Sequence, residues 1–129
     1  MSQNVEIVRG FYEAFARDEF PTEVIDPDIE YVNPVGAVEE GTRRGLPEFR
    51  EAVGKVFEGW ATWHMEPEEF IAIGNKVAVV VAYRARGRAS GVELEGRESA
   101  RLTLREGKVV RYEWFHDPAD ARSAASSEG

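Results

Sequence analysis

The chain has 129 residues and a mass of 14.5 kDa, room for one domain around one core. Its 43% hydrophobic and 31% charged residues are those of an ordinary globular protein, and the net charge of −8 gives a field that excludes nucleic acid and anionic membrane as main partners. The absence of cysteine excludes disulfides, thiolate metal sites, iron–sulfur clusters and a cysteine nucleophile.

Val8, Phe11, Tyr12 and Phe15 recur at three- and four-residue intervals and predict an amphipathic helix over residues 2–17, with Ser2 or Asn4 as its cap. Pro21 opens a short second helix carrying Val24 and Ile25, which Asp26-Pro27-Asp28 stops. Residues 29–32 are β-prone and run into the turn signal Asn33-Pro34-Val35-Gly36, and residues 37–45, rich in glycine and charge, read as a loop. Pro47 suits the first turn of a long helix whose apolar positions are Leu46, Phe49, Val53, Val56, Phe57 and Trp60. Beyond Trp60 the hydrophobic period changes to two. Strands are expected at 65–73, 76–86, 92–105 and 108–116, joined at Gly74-Asn75, at 87–91 and at Glu106-Gly107. Residues 1–117 are read as a single domain and 118–129 as a frayed tail too poor in apolar side chains to order itself.

Helices first and strands afterwards predict an α+β fold in which a curved antiparallel sheet has the helices on one face. On the other face Val80 and Ala82 lie beside Arg84 and Arg86, which suits either a homodimer packed sheet to sheet or a half-wet surface. No charged-then-apolar leader opens the sequence and no stretch nears the roughly eighteen apolar residues of a membrane span, so the cytoplasm is the expected compartment.

The order of elements, the Asn33-Pro34-Val35-Gly36 turn with Gly41-Thr42 behind it, the Glu66-Pro67-Glu68-Glu69-Phe70 segment, and the ending from Arg105-Glu106-Gly107-Lys108 through His116-Asp117 resemble the SnoaL-like, nuclear-transport-factor-2-like superfamily, in its uncharacterised bacterial branch. The resemblance spans nearly the whole chain. It implies a cone, related to the cystatin-like folds and the α+β barrels, in which a bent sheet wraps the N-terminal helices and a pocket opens at one end. It does not imply a reaction. Ketosteroid isomerase, one member, has its aspartate base where this chain has Asn33, its tyrosine donor at Phe11 and its protonated aspartic acid at Ala100. An amide, a phenyl ring and a methyl group cannot do that chemistry. Limonene epoxide hydrolase, another, resembles the chain at Tyr31-Val32-Asn33, but its aspartate and arginine fall on Val81 and Tyr83, leaving Asp117 as the possible match to a second aspartate.

Strand alternation, oriented by the resemblance, turns Tyr112, Trp114 and His116, Glu98, Ala100, Leu102 and Leu104, and Val79, Val81 and Tyr83 toward the interior. Glu98 is the exceptional member, because a carboxylate facing apolar side chains must be paired, hydrated or protonated; a register slip of one residue would return it to solvent. His116 is read either as a general acid or base or as a strand-end histidine, and Asp117 either as its orienter or as a turn starter before Pro118. Phe11, Tyr12, Phe15 and Trp60 are read as a ligand wall or as plain core. His64 is expected at the surface, and Arg84, Arg86 and Arg88 are expected to pair across strands with Glu93 and Glu95. No phosphate-binding glycine pattern or metal-ligand spacing occurs. These readings lead to a protein that binds a small hydrophobic molecule, with Phe11, Phe15, Tyr31, Trp60, Tyr83, Tyr112 and Trp114 as ligand-binding residues. Glu98, His116, Asp117 and Asn33 are the candidate catalytic groups for cofactor-free acid–base chemistry of isomerase, cyclase, dehydratase or hydrolase type. The alternative is a non-catalytic ligand-binding or dimerisation module.

Overall fold

The computed structural model describes residues 3–17, 19–34 and 40–121, apart from the side chains of residues 56 and 57. Helix α1, Gln3–Ala16, buries Val8, Phe11, Tyr12 and Ala14 along the stripe that its spacing predicts. The short second helix is a single 3₁₀ turn, Thr22–Val24, and β1, Ile25–Asn33, begins four residues earlier than expected. It passes through Pro27 with an irregularity in register between Ile25 and Glu30, and the Asp26 carboxylate accepts the Asp28 N–H at 2.8 Å.

The end of the expected loop at 37–45 is a strand, β2, Gly41–Arg44, paired antiparallel with β1 from Glu30↔Arg44 to Asn33↔Gly41. Gly-Thr-Arg-Arg has no apolar alternation to announce it; the ladder groups offered by β1 and the ion pair between Arg44 and Glu30 hold it extended. Val35, Gly36 and Ala37 of the expected turn and loop lie outside the described residues.

Helix α2, Leu46–Glu58, ends before Trp60, which is corrected from the last helical position to the first residue of β3, Trp60–Ile73. The cause lies far along the chain. Arg88 donates to the carbonyls of Glu58 and Trp60, both at 3.1 Å, satisfying one group that the helix end leaves open and one at the start of β3. Arg88 is therefore a clamp and not the cross-strand partner expected for it. Strands β4, Lys76–Gly87, β5, Glu93–Arg105, and β6, Lys108–Phe115, complete the sheet. Glu106 and Gly107 have φ of 52° and 80°, the left-handed pair of a type I′ hairpin.

The strand order is β2-β1-β6-β5-β4-β3, and the sheet does not close. Neighbours run antiparallel except β1 and β6, which are parallel, so the antiparallel expectation fails at that one pair. Register shifts at Pro67/Glu69 and Thr103/Leu104 bend the strands into a curved layer. Val77, Val79, Val81, Ala100, Leu102 and Leu104 of its inner face are buried with Val8 and Phe11 of α1 and Phe49 and Ala52 of α2.

The outer face is polar. Arg101 and Glu113 form a buried ion pair, with the guanidinium Nε 2.8 Å from Glu113 Oε1; Arg111 continues it to Glu30 at 2.9 Å, and Glu30 to Arg44. Arg84 and Arg86 pair with Glu95 and Glu93, at 3.8 and 3.7 Å. The chain end, expected to fray from residue 118, stays on the sheet over its first four residues. Ser99 donates to the Asp117 carbonyl at 2.6 Å and accepts the Ala121 N–H at 3.1 Å, and Ala121 is buried. No helix among the described residues is long and apolar enough to cross a membrane.

Candidate functional site

Three strands set the floor of the interior. The pairings Val79↔Ala100, Val81↔Glu98 and Tyr83↔Gly96 between β4 and β5, with Ala100↔Trp114 and Leu102↔Tyr112 between β5 and β6, place all these residues on the inner face. The inward residues then form two zones.

The deep zone is filled. Phe11 lies edge-on to Tyr12, Phe15 and Tyr112, with centroids 5.0–5.5 Å apart, and Tyr31 and Phe49 are 4.7 Å apart. Phe11, Tyr12, Tyr31, Phe49 and Tyr112 are buried, and Phe15 is half-buried. Of the residues expected to touch a ligand, Phe11, Phe15, Tyr31 and Tyr112 are thus placed in ring-to-ring core contacts. The Tyr12 and Tyr112 hydroxyls share a hydrogen bond of 3.0 Å that ties α1 to β6. One phenol accepts from the other and keeps its own hydrogen, so one O–H remains to be donated within this zone. Burial raises both phenols well above the ordinary range and keeps them protonated. The sequence offered Tyr12 as ligand wall or plain core, without this hydrogen bond; its partner is a hundred residues away on another element.

The second zone lies toward the Tyr83 end of β4 and is open only in the sense that its rings stay partly exposed. Trp63 stacks on Tyr83 at 11° and 6.1 Å, Trp60 lies 5.8 Å from Trp63, and Trp114 lies 5.4 Å from Tyr112, at the border of the deep zone. All four rings are half-buried. Trp63 escaped the sequence reading because the strand was expected to begin two residues after it. Tyr83 leans across Gly96, where a Cβ would stand 2.9 Å from the phenol oxygen, so glycine is needed there for the ring to lie flat on the sheet.

Glu98 lies on the same face, between Gly96 under the Tyr83 ring and Ala100 beside Trp114, with its side chain 27% exposed. Loss of hydration raises its pKa above the usual carboxylate range, while His116 opposes the shift. The distance from Glu98 Oε2 to His116 Nδ1 is 3.9 Å, an ion-pair separation beyond hydrogen-bond reach, and the imidazole is 59% exposed. Asn33 ends β1 on the face of Tyr31, opposite Gly41. Asp117 is taken up by its turn: its Oδ1 accepts the Ala119 N–H at 2.8 Å and its carbonyl accepts Ser99. His64 is exposed on β3, on the outer face opposite Arg84. No group of three or more His, Asp or Glu placed to hold a metal occurs among the described residues.

This geometry offers one carboxyl able to hold or release a proton near an apolar ligand, an imidazole beside it, and flat aromatic faces around them. The model of the SnoaL-like domain matches residues 8–112. The chain is 29% identical over 126 residues to uncharacterised proteins of Mycobacterium tuberculosis and Mycobacterium bovis, covering 93% of this chain and 94% of theirs. Among solved structures it is similar to an NTF2-like protein of unknown function from Burkholderia pseudomallei, with TM-score 0.83, 27% identity and coverage of 93% and 95%. A putative SnoaL-like polyketide cyclase from Jannaschia shares the fold, with TM-score 0.78, 18% identity and coverage of 97% and 92%.

Proposed function

Because the chain belongs to the SnoaL-like domain family, whose members present the hollow of one curved sheet, we propose that it binds a small hydrophobic molecule in the open zone and that Glu98 exchanges a proton with it. The observation that supports this reading is the inward, partly desolvated carboxyl of Glu98 on the face that carries Tyr83 and Trp114. The reaction class is cofactor-free acid–base chemistry of isomerase, cyclase, dehydratase or hydrolase type, carried out in the cytoplasm. His116 and Asn33 stand as the auxiliary polar groups.

The test is solvent exchange. A cyclic carbonyl compound that raises the melting temperature should exchange its α-protons for deuterium in the presence of the wild type, and Glu98→Gln should bind it without exchange. Exchange undiminished in both Glu98→Gln and His116→Ala would end the catalytic reading. Binding without exchange in the wild type would establish a non-catalytic binding module instead, a reading favoured by the 3.9 Å gap between Glu98 and an imidazole that is mostly in water.

The partner we propose for the outer face is a second copy of the chain. Two adjoining grooves of ≈ 890 and ≈ 530 Å³ share Arg97 and Pro118, and they set His64, Arg84 and Arg97 beside Glu66, Glu68 and Glu95, both signs on one patch as a two-fold contact needs. Sedimentation at micromolar concentration checks this, and a monomer there would refute it.

A further inference from the structure

Glu98 carries the charge that the inner face does not balance. Strand alternation sends Arg84 and Arg86 of β4, Arg97 and Arg101 of β5 and Arg111 of β6 to the opposite face, where each has a carboxylate partner. Arg43 shares the inner side, but three strands away on β2, with its guanidinium on the Glu40 carbonyl at 3.1 Å. Among the described residues the basic side chain that ion-pair geometry places against Glu98 is therefore His116, at 3.9 Å and largely in water.

The neighbours along the sheet are rings. On its own strand Glu98 has Gly96 on one side, roofed by Tyr83, and Ala100 on the other, paired with Trp114. A head group against the carboxylate would therefore have Tyr83 on one side along the sheet and Trp114 on the other. Aromatic faces are negative at their centres, so they repel a second anion and attract a cation, most strongly where water is partly excluded. A net charge of −8 adds to the same preference at long range.

We propose that the ligand of the open zone is an organic cation, a tertiary or quaternary ammonium on an apolar body, with its charged head against Glu98 and between Tyr83 and Trp114. This rests on the reading that a small hydrophobic molecule enters the zone, and it holds whether or not a reaction follows. The cation would replace the hydration that Glu98 has lost, and its alkyl or aryl body would lie along Tyr83, toward the Trp63 ring stacked on it.

The probe is the near-isosteric pair phenyltrimethylammonium and tert-butylbenzene, which differ by one charge. Binding is followed by tryptophan fluorescence, since Trp114 lies beside Ala100, the inward neighbour of Glu98, and Trp63 stacks on Tyr83. The wild type is expected to bind the cation at least about tenfold more tightly than the hydrocarbon. Glu98→Gln should bring the two within about twofold by weakening only the cation, and Tyr83→Leu, which keeps the carboxylate and removes one ring, should weaken the cation by about two- to fivefold. Equal or tighter binding of tert-butylbenzene, or a cation preference that survives Glu98→Gln, would overturn the inference and leave the hydrophobic-ligand reading in place. Failure of both probes to bind would overturn the two together.

Discussion

Ser99 offers the sharpest perturbation of the structure next to the site. Its hydroxyl is buried on the outer face of β5, directly after Glu98, and it holds the segment that leaves β6 through His116 and Asp117. Ser99→Ala removes a donor to the Asp117 carbonyl and an acceptor from the Ala121 N–H. Asp117 is exposed, so its carbonyl regains water at small cost, whereas Ala121 is fully buried and its N–H is left without a partner. An orphaned buried N–H costs about 1–3 kcal/mol, so the expected loss is about 2 kcal/mol, a fall in Tm on the order of 5–10 °C. Urea unfolding measures the loss. Hydrogen exchange locates it: the Ala121 amide should lose its protection while the amides of β4 keep theirs apart from the shared global change. A change under about 0.5 kcal/mol with Ala121 still protected would refute the clasp, because it would mean that the amide has another acceptor.

Three further outcomes follow from the same geometry. Glu98 has a raised native pKa, so the native state keeps its proton to higher pH than the unfolded chain does. The stability this contributes is complete below the unfolded carboxyl range, near pH ~4.3, and is lost as pH rises through the native value. Glu98→Gln should therefore gain stability relative to the wild type between pH 4 and 8 in paired denaturant titrations, and a constant difference would contradict the placement. Glu113→Ala removes the carboxylate to which the buried Arg101 donates and should cost about 3–5 kcal/mol in urea, while Arg101→Met combined with Glu113→Leu should lie within about 1 kcal/mol of the wild type or above it. Phe11→Ala should cost about 3–5 kcal/mol, whereas Trp63→Ala, at a half-buried position, should cost less than half as much and weaken binding of an apolar probe; the reverse ranking would exchange the two zones.

The sequence was most legible where short turns fix register. Gly74-Asn75 and Glu106-Gly107 join strands with two residues each, so alternation counted from them puts Val81, Glu98, Ala100, Tyr112 and Trp114 on one face, as the pairing does. It was least legible where distant contacts decide. Nothing in Gly-Thr-Arg-Arg marks a strand until β1 lies beside it, and the helical spacing that reaches Trp60 is ended by an arginine 28 residues later in the chain. Within the site, periodicity reported which residues face inward but not which of them touch each other. Phe11, Tyr31 and Tyr112 satisfy the same pattern as Tyr83 and Trp114, and only the packing of rings separates core from chamber. Asp117 shows the same limit in reverse: Asp-Pro signalled both a turn and a catalytic neighbour, and the carboxylate is used by the turn.

Carbon-13 NMR titration of the Glu98 side-chain carboxyl bears most directly on whether this residue has left bulk water for the ring-bearing inner face. The account predicts a midpoint above the ordinary glutamate value of about 4.3, falling when phenyltrimethylammonium is added. A midpoint at the ordinary value, unmoved by the cation, would place the carboxyl in water and contradict it.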